Sequence, residues 1–135
     1  NSVLKEDFRY FIKQKGGLLA KGRLLGIQFE ELFKDDLYFD IARHANNMAI
    51  LLKNALKEKG YKFLTDSSTN QQFPVIPNDI IKKIGEKYSF NFERVIDENN
   101  TAIRLVTSWA TKEANVLEFI EDLKIYTYEK SAKHN

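Results

Sequence analysis

Apolar residues recur along this chain with two different periods, and the change of period divides it. Over residues 4–13 the positions Leu4, Phe8, Phe11 and Ile12 fall at helical spacing, with Glu6 and Asp7 early and Lys13 and Lys15 late, as the helix dipole favours. Gly16-Gly17 ends this short helix. A second helical pattern covers residues 18–34, with Leu18, Leu25, Phe29, Leu32 and Phe33 on one face. Gly22 and Gly26 share a face within it, and each costs about 1 kcal/mol against alanine. That cost predicts a compensating close approach by a neighbouring backbone or a ligand. Asp35-Asp36 then caps the strongest helix in the sequence. Leu37, Ile41, Ala45, Met48, Leu52 and Leu56 step by three or four, and Gly60 stops it after about six turns. His44 falls on the polar margin of this helix, where a solvated histidine is expected.

After Gly60 the period becomes two. Residues 61–64 and 71–76 read as strands about a polar turn, and Pro74 places the second at an edge or beside a bulge. Pro77-Asn78-Asp79 opens a helix carrying Ile80, Ile81 and Ile84, and third and fourth strands follow at 90–95 and 102–107. Thr111 caps a last helix with Ala114, Leu117, Ile120 and Leu123 inward. The predicted fold is α+β: a small, largely antiparallel four-stranded sheet with helices on one face, preceded by long N-terminal helices. The predicted organisation is a single domain over 1–135, with a helical arm and long helix over 1–59, the strand-rich part over 60–123 and a frayed tail over 124–135.

Composition narrows the function. With 43% hydrophobic and 30% charged residues, 135 residues suffice for one globular domain with a real core. Cysteine is absent, which excludes disulfides and thiolate sites, and with two histidines no metal site is expected. No run reaches the roughly 18 apolar residues of a membrane span, so no membrane is expected and a cytoplasmic location is the natural inference. A net charge of +2 is dispersed among alternating cations and anions, and no nucleic-acid partner is expected. The chain opens at Asn1-Ser2-Val3, its single methionine is Met48, and it is expected to begin inside something larger.

Familiar catalytic constellations are missing: there is no phosphate loop ending in Lys-Ser or Lys-Thr, no His-Glu-x-x-His and no Gly-x-Ser-x-Gly. Carboxylate pairs such as Glu30-Glu31 and Asp97-Glu98 fall on helix faces and turns, where solvation explains them. Two places remain. Around the helix break, the cations Lys13, Lys15, Lys21 and Arg23 surround Gly16, Gly17 and Gly22, a setting that suits a phosphate and equally suits a solvated loop. Arg104 is embedded in an apolar strand, sharing a face with Ala102 and Val106. Its fork matches a carboxylate, and it could as well snorkel to water or pair with Glu93.

Three stretches carry a family resemblance: 8–29 (Phe-Arg-Tyr-Phe-Ile-Lys-Gln-Lys-Gly-Gly-Leu-Leu-Ala-Lys-Gly-Arg-Leu-Leu-Gly-Ile-Gln-Phe), Thr69-Asn70-Gln71-Gln72-Phe73-Pro74, and Ala102-Ile103-Arg104-Leu105-Val106-Thr107-Ser108-Trp109. In order and spacing they closely resemble the C-terminal part of threonine aldolases of the low-specificity type, which are PLP-dependent lyases of the aspartate-aminotransferase fold. The resemblance implies that Arg104, in Arg-Leu-Val-Thr, grips the substrate carboxylate. It also implies that Lys13, Lys21 and Arg23 are the candidates for the cofactor phosphate across a dimer interface. Many relatives follow Arg-Leu-Val-Thr with His, where this chain has Ser108-Trp109, a difference that bears on substrate preference. The family's Schiff-base lysine belongs to a large domain upstream of everything seen here. No catalytic residue is therefore assigned, and the 135 residues are expected to be an inactive fragment without that domain and to bind no cofactor alone. The intact enzyme is expected to be a homodimer or homotetramer that binds pyridoxal 5'-phosphate and cleaves L-threonine or L-allo-threonine to glycine and acetaldehyde. Two alternatives stand beside it. One is another PLP-dependent lyase of the same fold. The other is a non-enzymatic α+β module that binds RNA or protein through Tyr61, Phe63, Phe73, Phe90 and Phe92 exposed on a bare sheet face.

Overall fold

The computed structural model describes residues 2–132, with side chains through residue 126. It divides into two compact units, Asn1–Asp40 and Ile41–Asn135.

The N-terminal unit is helical. α1 (Ser2–Lys5) and α2 (Phe8–Gln14) replace the single expected helix. The break is Asp7, which sits at φ 57, a left-handed conformation that Asp tolerates better than most residues. α3 (Gly22–Phe33) follows the glycine turn, four residues later than the apolar pattern starts. Asp35 and Asp36 also take positive φ, within a 3₁₀ turn (Lys34–Asp36), so they bend the chain without capping the next helix. None of α1, α2 or α3 buries a residue. Phe29, Phe33, Tyr38 and Phe39 form an aromatic ladder with centroid spacings of 5.1–6.3 Å, yet each is 45% exposed or more.

α4 (Leu37–Glu58) leads into the second unit, which has a conventional core. Ala45, Met48, Ala49, Leu52 and Leu56 are its buried stripe: Ala49 joins the expected face beside Ala45 at i+4, while Leu37 is exposed and Ile41 only half-buried. The 61–64 strand survives only as a bridge from Phe63 to Pro74. The 71–76 strand is split into β1 (Gln71–Gln72) and β2 (Val75–Pro77). Pro74 causes the split: it has no N–H to give, although its carbonyl accepts from Ile103 N at 3.1 Å. α5 (Asn78–Ile84) buries Ile80, Ile81 and Ile84. β3 (Asn91–Val95) is an exposed edge strand with a register shift between Phe92 and Arg94. β4 (Asn100–Val106) is the centre of the antiparallel sheet, with β1 and β2 end to end along one edge and β3 along the other.

The helices cover one face of that sheet. Ile76, Ile103 and Leu105 join Met48, Leu52, Leu56, α5 and α6 (Glu113–Ala132) in one core. On α6 the inward residues are Val116, Phe119, Ile120 and Leu123, while Leu117 is 49% exposed and Ala114 lies outside. The expected set stepped by three throughout, which drifts about 60° per step around a helix. The observed 3-1-3 spacing holds one face. α6 also continues to Ala132, past Lys124, where fraying was expected; Tyr126 packs against the core and lies under Lys83 at 5.3 Å. Residues 133–135 of the expected tail lie outside the described residues. Where α5 meets β3, Lys87 and Tyr88 bind Asp122 of α6 at 2.7 and 2.6 Å. Burial, together with the bond to Asp122, raises the Tyr88 phenol to about 12, while hydrogen bonds from Lys87 and then Tyr88 lower the Asp122 carboxyl. No described helix is long and apolar enough to cross a membrane.

Candidate functional site

Alternation along β4 puts Thr101, Ile103, Leu105 and Thr107 toward the helices and Ala102, Arg104 and Val106 on the opposite face. Exposure on that opposite face rises along the strand. Ala102 is buried, Arg104 is half-buried and Val106 is 57% exposed.

Arg104 Nε is shut off from solvent and has no hydrogen-bond partner among the described residues. Of the alternatives open to this arginine, snorkelling to water describes only part of the side chain. Glu93, the neighbour that could have neutralised it, sits at the register shift of β3 and makes no ion pair with it. A buried, unpaired guanidinium donor costs free energy until an acceptor reaches it, and a planar carboxylate is the acceptor whose two oxygens match the fork.

The strand end is fixed by polar groups that the sequence did not advertise. Thr107 donates from Oγ1 to the Ala45 carbonyl of α4 at 2.7 Å, Asn70 donates from Nδ2 to the Thr107 carbonyl at 2.7 Å, and Thr107 N returns a bond to the Asn70 carbonyl at 3.0 Å. Gln72, 1% exposed, holds the Thr69 carbonyl at 2.8 Å. Thr111 does not cap α6: its hydroxyl accepts from Ser108 N at 2.8 Å, closing the turn that displays Trp109. His44 is half-buried and donates from Nε2 to the Thr111 carbonyl at 2.8 Å, so it is a tertiary tie and not a solvated residue. No local spacing could have revealed a partner 67 residues away.

The other predicted site residues belong to the N-terminal unit. Lys13 is in the last turn of α2, Lys21 is at the N-cap position of α3 and Arg23 is in its first turn, all exposed and none in an ion pair with another described residue. Lys21 provides no side-chain cap, which leaves the first N–H groups of a twelve-residue helix flanked by two cations. That donor set fits a phosphate.

Of the five aromatics that a stacking face would need, Tyr61, Phe63 and Phe90 pack against the core, and Phe92 is exposed on the edge strand. They do not form a bare aromatic platform.

No protein-family model matches the chain, and no curated protein matches it. Among solved structures, the threonine aldolase of Leishmania major is 41% identical over 92% of this chain, with a TM-score of 0.78. The chain spans 36% of that protein's length. The 8-amino-7-oxononanoate synthase of Francisella tularensis matches 79% of this chain and 32% of its own at a TM-score of 0.55, and at 11% identity it shows a shared fold only. In sequence and in fold together, the chain resembles the C-terminal part of a threonine aldolase, and its fold matches the small C-terminal domain of a fold-type I PLP enzyme.

Proposed function

We propose that these residues form the substrate-carboxylate side of a threonine aldolase active site. The intact, cytoplasmic enzyme cleaves L-threonine or L-allo-threonine to glycine and acetaldehyde. The observation that carries the reading is Arg104: a half-buried cation with an enclosed, unpartnered Nε, on the sheet face away from the helices. Arg104 binds the α-carboxylate bidentately and so fixes which bond at the α-carbon stands ready to break. Lys13, Lys21 and Arg23 would hold the phosphate of pyridoxal 5'-phosphate, Lys21 and Arg23 together with the open N-terminus of α3. When bound, that cofactor supplies the electron sink for the pair left on the α-carbon as the Cα–Cβ bond breaks. The hydroxyl proton leaves to a base outside these residues, the β-carbon departs as acetaldehyde, and protonation of the α-carbon gives glycine. The 135 residues alone are inactive, since none of their lysines stands in the small-residue setting of the family's cofactor lysine.

The intact enzyme is a homodimer or homotetramer, and the apolar residues that the N-terminal unit leaves exposed support this. In the intact enzyme, Arg104→Ala raises the KM for threonine about 100-fold, and Arg104→Lys, a point charge without the fork, falls between. Steady-state kinetics decide it: an unchanged KM in Arg104→Ala removes the carboxylate role. The purified 135-residue chain carries no PLP absorbance, and a stoichiometric band would contradict its inactivity.

A further inference from the structure

Arg104 lies where the sheet around it is least complete. On one edge of β4, β3 ends at Asn91, opposite Arg104 itself. On the other edge, β1 ends opposite Leu105 and β2 begins opposite Ala102, with Phe73 and Pro74 in the gap. Beyond Arg104 the strand is therefore paired on one edge only, through the two residues of β1. Such a strand end has few backbone bonds to resist local opening. Yet a bidentate grip on a carboxylate tolerates little displacement of the guanidinium.

The structure supplies the missing restraint at Asn70 and Thr107, chiefly through their side chains. Asn70 and Thr107 face each other and exchange two bonds, Asn70 Nδ2 to the Thr107 carbonyl at 2.7 Å and Thr107 N to the Asn70 carbonyl at 3.0 Å. The Thr107 hydroxyl, on a residue only 5% exposed, runs the clasp through to the Ala45 carbonyl at 2.7 Å. The strand end is thereby bolted to the middle of α4. Behind the clasp, the loop leading to Asn70 is fastened to α4 by Lys53, which donates to the Ser67 carbonyl at 2.7 Å, and to β1 by Gln72. An apolar residue at 107 could fill the same space. It could not fix the strand along its own axis, because apolar packing is not directional.

We propose that Asn70 and Thr107 are positioning residues that act through Arg104, setting the depth at which its guanidinium meets the substrate carboxylate. This rests on the carboxylate reading above, and the test separates the two. In the intact enzyme, Thr107→Val, which keeps the shape and removes the hydroxyl, raises the KM for threonine about tenfold with kcat nearly unchanged. Thr107→Ser recovers most of that loss. Asn70→Ser, which works from the loop side without disturbing the core, reproduces the effect if the valine variant fails to fold. In the Arg104→Ala background, Thr107→Val adds no further rise in KM, because the residue through which it acts is gone. A readout without the cofactor is hydrogen exchange at Arg104 Nε in the 135-residue chain, which Thr107→Val speeds about tenfold and Thr107→Ser does not. A folded Thr107→Val enzyme with unchanged KM, or an effect that adds fully to Arg104→Ala, overturns the positioning role. If Arg104→Ala itself leaves KM unchanged, the carboxylate reading fails first and the positioning role goes with it.

Discussion

The two units of this chain use similar amounts of apolar sequence for different ends. In Ile41–Asn135 the periodic residues meet across a sheet and three helices, so that Leu56, Ile76, Ile84 and Ile103 reach zero exposure. In Asn1–Asp40 equally regular patterns leave Leu4, Phe8, Leu18, Leu24, Phe29 and Phe33 each more than half exposed. An amphipathic helix carries stability only where its apolar face is covered. The difference teaches that hydrophobic periodicity predicts a helix without saying whether its partner lies within the same compact unit.

The largest effect that tests this contrast is truncation in the core. Leu56→Ala or Ile103→Ala costs about 2–5 kcal/mol through lost burial and a cavity. Phe29→Ala, at a residue 63% exposed, costs this chain about 0.5 kcal/mol or less. Thermal or urea unfolding of the three variants measures both. If Phe29→Ala proved as damaging as Leu56→Ala, the N-terminal unit would have a core of its own and the contrast would collapse.

A smaller effect sharpens it. A Cβ on Gly26 would meet nothing within 4 Å, and one on Gly22 would touch only the Leu19 side chain at 4.0 Å. Apart from that Leu19 contact, the expected compensation for two helical glycines is absent from the described residues. Gly26→Ala therefore stabilises α3 in this chain by up to about 1 kcal/mol, read as a gain in helical circular dichroism. A loss of helix in the isolated chain would show that the glycine is needed by α3 itself.

What the sequence disclosed follows from the range of the interactions involved. Ile80, Ile81 and Ile84 were legible because the residues that define the face and the Pro77-Asn78-Asp79 start lie within one another's reach along the chain. The face of Arg104 was legible too, since strand alternation is a local rule. Its enclosed Nε was not, because strand alternation gives the face of a side chain and not the exposure of a single atom on it. The same holds for Thr107 and Asn70, 37 residues apart, and for His44, whose carbonyl partner no spacing rule could find. Thr111 shows the reverse error, a residue with the right chemistry for a cap and a nearer partner in Ser108.

The smallest effect lies where the second unit is most exposed. The loop before β1 is tied to α4 by Asp66, whose Oδ1 stands 2.7 Å from Lys53 Nζ and 2.9 Å from Lys57 Nζ. Hydrogen bonds from Lys53 and then Lys57 lower its carboxyl to about 2. Because the folded value lies below the unfolded one, the tie is fully present above the ordinary Asp range near 4 and is lost as pH falls through about 2. Stability drawn from this carboxylate therefore declines between those limits and is flat at neutral pH. The pair is solvent-exposed on the Asp66 side, so salt screens it and its weight is small. Carbon-detected NMR of the Asp66 carboxyl gives a midpoint near 2, moving up toward the ordinary value in Lys53→Met. An ordinary midpoint in the parent chain would mean that the loop is not held at Asp66, leaving Gln72 and Lys53 to fasten it through the Ser67 and Thr69 carbonyls alone.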